Sequence, residues 1–275
     1  MQKNELIIKP RPSWYIVNLP ELWEFRELFY IFSWRDIKVR YKQTVLGILW
    51  VLLQPLLSMV IFTVFFGNFA HIPSDGLPYP VFVLLGLVFW GYFSGALSRA
   101  STAFIDNESL VKKVYFPREI LPFSTVVTAF ADFLVSLALF FIVAIVYHVP
   151  FNLAFFGMIL LALVITTLTS AGLGLLVASI NIKYRDVRYI IPYFLQLMIF
   201  VTPVIYPLSI VRPSFQFILA LNPMAGVINS LRSVLTTGAV ADPTHLIISL
   251  VSAVVLFIVG MLYFRRTECF FADIL

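Results

Sequence analysis

Cysteine, histidine and charge are all scarce in this sequence of 275 residues. The single cysteine, Cys269, has no partner for a disulfide within the chain, and three scattered histidines do not form a metal site. Only 12% of the residues are charged, whereas 61% are hydrophobic, and the mean hydropathy is +0.96. Soluble domains do not have this composition, so the sequence predicts an all-α polytopic membrane protein.

The motifs of common catalytic and nucleotide-binding sites are also missing. None of the twelve glycines precedes a lysine, so the phosphate-binding loop G-x-x-x-x-G-K-[ST] is absent. No Ser-His-Asp spacing, H-E-x-x-H motif or acidic cluster stands out. The basic residues lie beside apolar runs, which argues against nucleic acid as a partner. We therefore expect a chain that is not an enzyme and that binds no cofactor or metal of its own.

Six apolar runs are present, and a hydrocarbon core of about 30 Å needs roughly 20 helical residues. They divide the chain into a polar segment (1–45), a membrane domain (46–264) and a short tail (265–275). The first 20 residues, rich in proline, are expected to form an extended arm. The predicted spans are residues 46–66, 81–97, 122–147, 155–180, 190–206 and 246–264.

Proline and glycine predict irregularities in these spans. A kink or local unwinding is expected at Pro55, and breaks in the fifth span at Pro192 and Pro203. Three glycines in the second span, at positions 86, 91 and 95, predict a close approach of another helix.

Asp132 is the candidate ionisable residue within an apolar run. An intramembrane carboxylate can belong to an ion or proton pathway. It can equally form a structural bond to a hydroxyl group, or pair with a basic residue near the cytosolic edge. The sequence leaves both interpretations open.

The lysines and arginines predict the orientation of the chain. With six spans, seventeen of the nineteen fall on the side that carries both termini, and only Arg212 and Arg232 fall on the other. Positive charge is retained on the cytosolic side of a membrane. We therefore expect a plasma membrane protein with both termini and residues 99–121 in the cytosol, and residues 207–243 outside.

A helix is predicted before the first span, over residues 22–32. Leu22, Phe25, Phe29 and Phe32 share one face, which could lie in the lipid interface or pack on a partner. Arg-Asp pairs occur twice near the cytosolic face, where they could fix helix ends or contact a partner. These residues and one neighbouring arginine form a predicted cytosolic interface: Arg35, Asp36, Arg40, Arg185 and Asp186.

The outer segment 207–243 is apolar although it is too short for two spans. It predicts two re-entrant half-helices, residues 214–221 with Ser214 as N-cap and residues 223–237 between Asn222 and Gly238. An ordinary surface loop is the alternative. The second half-helix has one apolar face, formed by Val227, Ile228, Leu231 and Leu235.

Aromatic rings are dense in the first two spans. Rings of this kind can stack on sugar faces and give a polymer sliding contacts, although lipid-facing packing explains any single ring equally well. The predicted substrate channel consists of Phe62, Phe89, Trp90, Tyr92 and Phe93.

Several linked motifs occur in order along nearly the whole chain. They are W-R-D-I-K-V-R-Y, L-G-I-L-W with Gln54-Pro55, N-E-S-L-V-K-K-V-Y-F-P-R-E-I-L-P, Y-R-D-V-R-Y, T-P-V-I-Y-P and L-N-P. With these motifs the chain resembles the permease subunits of type 2 ABC exporters that move lipid-linked polysaccharides such as O-antigen, capsule and teichoic acid.

The resemblance implies a homodimer of six-helix subunits that forms a polymer channel in the lipid bilayer. Two cytosolic ABC ATPase subunits would bind ATP and Mg and drive it. A coupling helix over residues 107–114 would contact them, with Val111 and Val114 as anchors. The residues assigned to coupling are Asn107, Glu108, Leu110, Val111, Lys112 and Lys113, and those assigned to an outer gate are Phe215, Phe217, Asn222, Pro223 and Leu231.

Two alternatives stay open beside an exporter of O-antigen. An exporter of the same architecture could carry a small molecule or a lipid. An ion-coupled secondary transporter would need more intramembrane charge than this sequence contains.

Overall fold

The computed structural model describes residues 19–42, 47 and 49–271, and within these residues the chain is helical without any strand. The predicted all-α membrane fold is confirmed. The arm predicted for residues 1–20 lies outside the described residues except for its last two positions. The helices are α1 (Leu19–Glu24), α2 (Arg26–Lys42), α3 (Leu49–Phe62), α4 (Tyr79–Asp106), α5 (Glu108–Lys113), α6 (Ile120–Val146), α7 (Leu153–Lys183), α8 (Val187–Val201), α9 (Pro213–Ala220), α10 (Pro223–Thr237) and α11 (Pro243–Thr267).

In the described part of the chain, five helices are long and apolar enough to cross a membrane: α3 with its π-helical continuation to Phe69, α4, α6, α7 and α11. The predicted fifth span corresponds to α8, which has only 15 residues. It continues through Pro192 and ends before Pro203, so only the second predicted break occurs. Of the two possibilities predicted at Pro55, local unwinding does not occur, because α3 stays α-helical past that residue, and the kink stays a prediction.

Helix α4 is the centre of the bundle. Its 28 residues pack against α3, α6, α7, α8 and α10. A helix that is apolar on every side can be buried on every side, and in α4 the stretch from Val81 to Trp90 has almost no exposed surface. Phe82, near its start, touches α10, while Asp106 at its other end precedes α5. We refer to these opposite ends of the bundle as the α10 end and the α5 end.

The closest contact between helices lies between α7 and α11. Gly172 and Gly260 face each other there, and a Cβ atom on Gly260 would overlap the backbone of Gly172.

Of the α4 glycines, Gly86 does have a close neighbour, because a Cβ atom there would lie 2.9 Å from the guanidinium group of Arg232 on α10 and 3.2 Å from the carbonyl of Val204. A Cβ atom on Gly91 would meet open space, and one on Gly95 would meet a side chain of its own helix. The close approach predicted for the second span therefore occurs at one of the three positions, because sequence alone does not show which glycines face a neighbouring segment.

The helix predicted before the first span is present as α1 and α2, with a turn at Phe25 between them. Its apolar face packs on the chain's own residues, because Phe32 is buried and joins a cluster that includes Phe104 and Phe264. The other residues of this face stay partly exposed, so contact with lipid or with a partner remains a prediction for it. The opposite side of α2 is exposed and carries large apolar residues, among them Tyr30, Ile31 and Trp34.

Candidate functional site

Asn107 connects the start of α5 with α2. Its amide nitrogen donates to the carbonyl of Ala103 over 2.8 Å, and its amide oxygen accepts from Arg35 over 3.0 Å. Arg35 also forms an ion pair of 2.8 Å with Asp36. Residues that the sequence assigns to coupling and to the cytosolic interface thus form one network at the α5 end.

Helix α5 has one buried and one exposed face. Val111 is buried and anchors the helix, whereas Val114 is 52% exposed, so its predicted role as an anchor is wrong. Lys112 donates to Glu108 over 2.6 Å on the exposed face. This hydrogen bond and the Lys112 charge hold the pKa of the Glu108 carboxyl below its ordinary value, and the charge of Arg185 adds to the shift. Leu110 is partly buried and Lys113 is exposed.

The two Arg-Asp pairs differ in their structural setting. Arg35 and Asp36 lie in the middle of α2, so they do not fix a helix end. Arg185 and Asp186 are exposed before α8, where Asp186 occupies the N-cap position but its side chain forms no capping bond. The predicted role of these pairs in fixing helix ends is wrong, and contact with a partner stays a prediction.

Glu119 and Arg265 join the start of α6 to the end of α11, which the sequence did not predict. Glu119 is buried and accepts from Arg265 over 2.7 Å. Burial raises the pKa of the Glu119 carboxyl, although the Arg265 charge opposes the shift. The pair therefore ties two helices together at the α5 end.

Asp132 is held by three side chains. Its carboxylate lies 2.6 Å from Arg40 and 3.1 Å from Arg99, and it accepts a hydrogen bond from the Tyr41 hydroxyl. These bonds connect α6 with α2 and α4. The structural interpretation of Asp132 is confirmed, because both the predicted hydroxyl and the predicted basic partner are present.

Replacing Asp132 with asparagine should therefore loosen α2 from the bundle. The substitution leaves Arg40 and Arg99 without the charge that balances them, and we expect a loss of about 2 kcal/mol after allowance for their partial exposure. Thermal unfolding in detergent measures this effect. Asp106→Asn is the control, because Asp106 is exposed and bonds only locally to Thr102. Equal melting temperatures for the two variants would contradict the assignment.

Four of the five aromatic residues predicted for the channel are buried inside the subunit. Phe89 packs on Phe133 with ring centroids 5.1 Å apart and has no exposed surface, and Phe93 packs on Trp90. Trp90 and Tyr92 line a cavity of about 270 Å³ between α3, α4 and α6. Phe62 is partly exposed on α3. A role in the channel stays a prediction for all five.

The two predicted half-helices are present as α9 and α10, bent by 111° to each other. Asn222 caps α10 by accepting from the backbone of Met224 over 3.1 Å, and Gly238 ends it with φ of 77°. The predicted cap at Ser214 is wrong, because α9 begins one residue earlier, at Pro213. The apolar face of α10, including Leu231, is buried along with Pro223, whereas Phe215 and Phe217 on α9 are exposed.

Arg232 is the main functional candidate that the sequence did not predict. Its side chain is 5% exposed, and its guanidinium group donates to the carbonyls of Phe82 (2.9 Å), Pro203 (2.7 Å) and Val204 (2.6 Å). These bonds stabilise the non-helical chain after α8 and tie it to α4 and α10. A sequence signal existed, since Arg232 lies four residues after Ile228 and three before Leu235, on the buried face.

Comparison with known proteins identifies the family. The sequence profile of the ABC-2 type transporter family matches residues 27–236, which is most of the chain. This chain belongs to the ABC-2 type transporter family. The matched segment contains α5, the Asp132 cluster and Arg232, whereas Arg265, the partner of Glu119, lies beyond it. With its long apolar helices, the chain is a multi-pass inner membrane protein.

Similar ABC-2 chains have names that refer to polysaccharides. The O-antigen export system permease protein RfbA of Myxococcus xanthus is 31% identical, over 91% of this chain and 96% of its own length. A protein of the same name from Klebsiella pneumoniae is 27% identical, over 90% of this chain and 95% of its own. The polysialic acid transport protein KpsM of Escherichia coli is 24% identical, over 85% and 91% of the two chains.

Proposed function

We propose that this chain is the membrane-spanning subunit of an ATP-driven exporter that moves lipid-linked O-antigen across the plasma membrane of a bacterium. The observation that carries the proposal is the similarity to O-antigen export permeases over 90% of the chain or more. A sequence similarity of this extent covers the spans, α5 and the α9–α10 segment together. In this proposal the α5 end is cytosolic, as are both termini, and the α10 end is outside.

Energy would come from two separate ATPase subunits that bind ATP and Mg. The exposed charges of α5 support a contact with such a subunit, because Glu108 and Lys112 bond mainly to each other and present a polar surface. Val111, on the opposite face, fixes the helix to the bundle. A short helix held in this way can transmit a rigid movement from a partner to the helices beside it.

A homodimer would provide the channel. Within the described residues of one subunit, the cavity beside Trp90 measures only about 270 Å³, which is little room for a sugar chain. Helix α3 supports the proposal, because only 11% of its apolar window is buried within the subunit. Such a surface must face lipid or a second copy. In the dimer, Trp90 and Tyr92 are the rings that we propose for contact with the polymer, and α9 and α10 would form its exit gate.

The alternatives have less support. An ion-coupled transporter needs a carboxylate that can exchange its ion, whereas Asp132 is neutralised by Arg40 and Arg99. An exporter of a small molecule or a lipid fits the same architecture, but the named relatives refer to O-antigen and polysialic acid.

The test of the proposed function is deletion of the gene in its source bacterium. Cells without the chain should accumulate O-antigen on the inner side of the membrane, and a plasmid copy should restore it to the surface. Surface immunolabelling and total lipid-linked polymer report the two quantities. Normal surface O-antigen in the deletion strain would exclude this function.

Glu108 and Lys112 are expected to couple the chain to its ATPase. Replacing both with alanine should reduce export at least about tenfold, as a loss of roughly 1.4 kcal/mol in a coupling interaction does. The ATPase activity of the complex should persist. Export of polymer and release of phosphate, measured in membrane vesicles, separate the two effects.

The matched control exchanges the charges, with Glu108→Lys and Lys112→Glu in one chain. The exchanged pair can still bond across one helical turn, so the helix keeps its internal support. If the partner recognises the sign of the charge at each position, this variant should be as defective in export as the double alanine variant. Normal export by the variant with exchanged charges would show that Glu108 and Lys112 serve only the stability of α5.

A further inference from the structure

A cavity of about 320 Å³ lies at the α10 end of the bundle. It is bounded by the loop before α4, by α9, by one side of α10 and by the start of α11. Its size falls in the range of roughly 300–1,000 Å³ that small-molecule sites occupy. In a chain that is 61% hydrophobic, all but three of the residues that line this cavity are polar or charged. Neither the proposed channel nor the coupling surface accounts for it.

Part of the lining is fixed and part is available to a ligand. The Ser209 hydroxyl donates to Asp75 over 2.9 Å, and the amide nitrogen of Gln216 donates to the carbonyl of Val211 over 2.7 Å. Asn229 also lines the cavity, from the middle of α10, and its amide bonds to none of the described residues. A partly buried amide group without a partner can serve a ligand as both donor and acceptor.

The charges of the cavity limit the class of ligand. The guanidinium group of Arg232 is already bonded to carbonyls, and Asp75 accepts from Ser209. The Asp242 carboxylate lies 2.9 Å from Nδ1 of His245. The charged groups of the lining therefore have partners within the chain and leave none free to balance a charged ligand. A metal ion has no site here, because the described residues contain no cluster of three ligating side chains. A lipid chain would leave the amide of Asn229 without a hydrogen bond. A neutral molecule rich in hydroxyl groups satisfies amides, hydroxyls and carboxylates together.

We propose that this cavity binds neutral sugar units of the exported polymer as they leave the membrane. The site rests on the proposed function, and it adds a preference for neutral over acidic sugars at the exit. Sugar hydroxyls would donate to Asp75 and bond to the Asn229 amide. A uronic or sialic acid unit would place its carboxylate against Asp75 and Asp242.

The experiment uses a cysteine reporter in the cavity. In the full-length chain with Cys269→Ser, Ser233→Cys, which lines the cavity and leaves Asn229 in place, is put in nanodiscs and its rate of reaction with a maleimide is measured. D-Glucose and D-glucuronate are the probes, since they differ only in the carboxylate. At a glucose concentration of about twice its Kd, labelling should slow roughly threefold. D-Glucuronate at the same concentration should slow it less.

Two further variants keep the result interpretable. Thr236→Cys provides a second reporter at the exposed rim of the cavity, and His148→Cys provides a control in the exposed turn between α6 and α7, outside the cavity. Glucose should slow the first and leave the second unchanged. No protection by either sugar at both reporters would overturn the site, and equal or stronger protection by glucuronate would overturn the preference for neutral sugars.

The same reporters separate this site from the proposed function. Protection by glucose in nanodiscs together with normal surface O-antigen in the deletion strain would support the sugar site and exclude O-antigen export. Loss of surface O-antigen in that strain without protection by either sugar would support O-antigen export and exclude the sugar site.

Discussion

Gly260→Ala is expected to force α7 and α11 apart and to destabilise the folded subunit by about 3 kcal/mol, the upper part of the range for overpacked cores. The added methyl group would overlap the Gly172 carbonyl, which is backbone and cannot move to a new rotamer. A fall in melting temperature on the order of 10 °C follows for a chain of this size. Thermal unfolding in detergent, followed by tryptophan fluorescence, measures it.

Gly157→Ala is the matched control in the same helix. A Cβ atom at Gly157 meets no atom within 4 Å, so the substitution adds no contact. Alanine also favours a helix over glycine by up to about 1 kcal/mol, so this variant should be as stable as the original or slightly more stable. If both alanine variants melt at the original temperature, the close contact of α7 with α11 does not determine stability.

Arg232→Ala is expected to have an effect of similar size, on the order of 4 kcal/mol, and to abolish export. Each carbonyl that loses its partner in a buried place costs about 1–3 kcal/mol, and Arg232 bonds to three of them. Without the guanidinium group, the chain after α8 loses its connection to α4. Thermal unfolding and the surface O-antigen assay measure the two effects.

Two variants show whether the effect belongs to this site. Arg232→Lys keeps the charge but lacks the planar fork, so it should recover only part of the lost stability. Arg212→Ala removes the other arginine of the same segment, which is exposed, and should leave stability and export unchanged. An Arg232→Ala variant as stable and active as Arg212→Ala would show that the bonds to the carbonyls are dispensable.

The sequence was sufficient for features that depend on local chemistry. The lengths of the uncharged apolar runs predicted the long helices. Asn222 and Gly238 predicted the limits of α10, because capping depends on a few neighbouring residues. The spacing of Val227, Ile228, Leu231 and Leu235 predicted its buried face. Val111 was predicted as an anchor in the same way. The family itself followed from several motifs in a fixed order.

Features that depend on distant partners were not predictable from this one sequence. Arg232 counted only as an external charge, since its partners lie at positions 82 and 203–204 and are carbonyl oxygens, which every residue has. The face of α2 with Phe32 was assigned to lipid or a partner, because amphipathicity shows that a face is buried but not what covers it. The ends of α8 and the pairing of Gly172 with Gly260 could not be predicted for the same reason, because they depend on contacts with distant parts of the chain.

Helix α4 connects the two ends of the bundle as one continuous rod. From Asp106, beside α5, to Phe82, whose carbonyl accepts from Arg232, it extends about 36 Å at the usual rise per residue. A tilt of about 5° about its α5 end would move the Phe82 carbonyl by about 3 Å, as far as the hydrogen bond is long. A small rotation imposed at α5 would therefore be enough to break the bond between Arg232 and Phe82, so in the proposed exporter the length of α4 would amplify a small movement at the α5 end into a larger one at the α10 end.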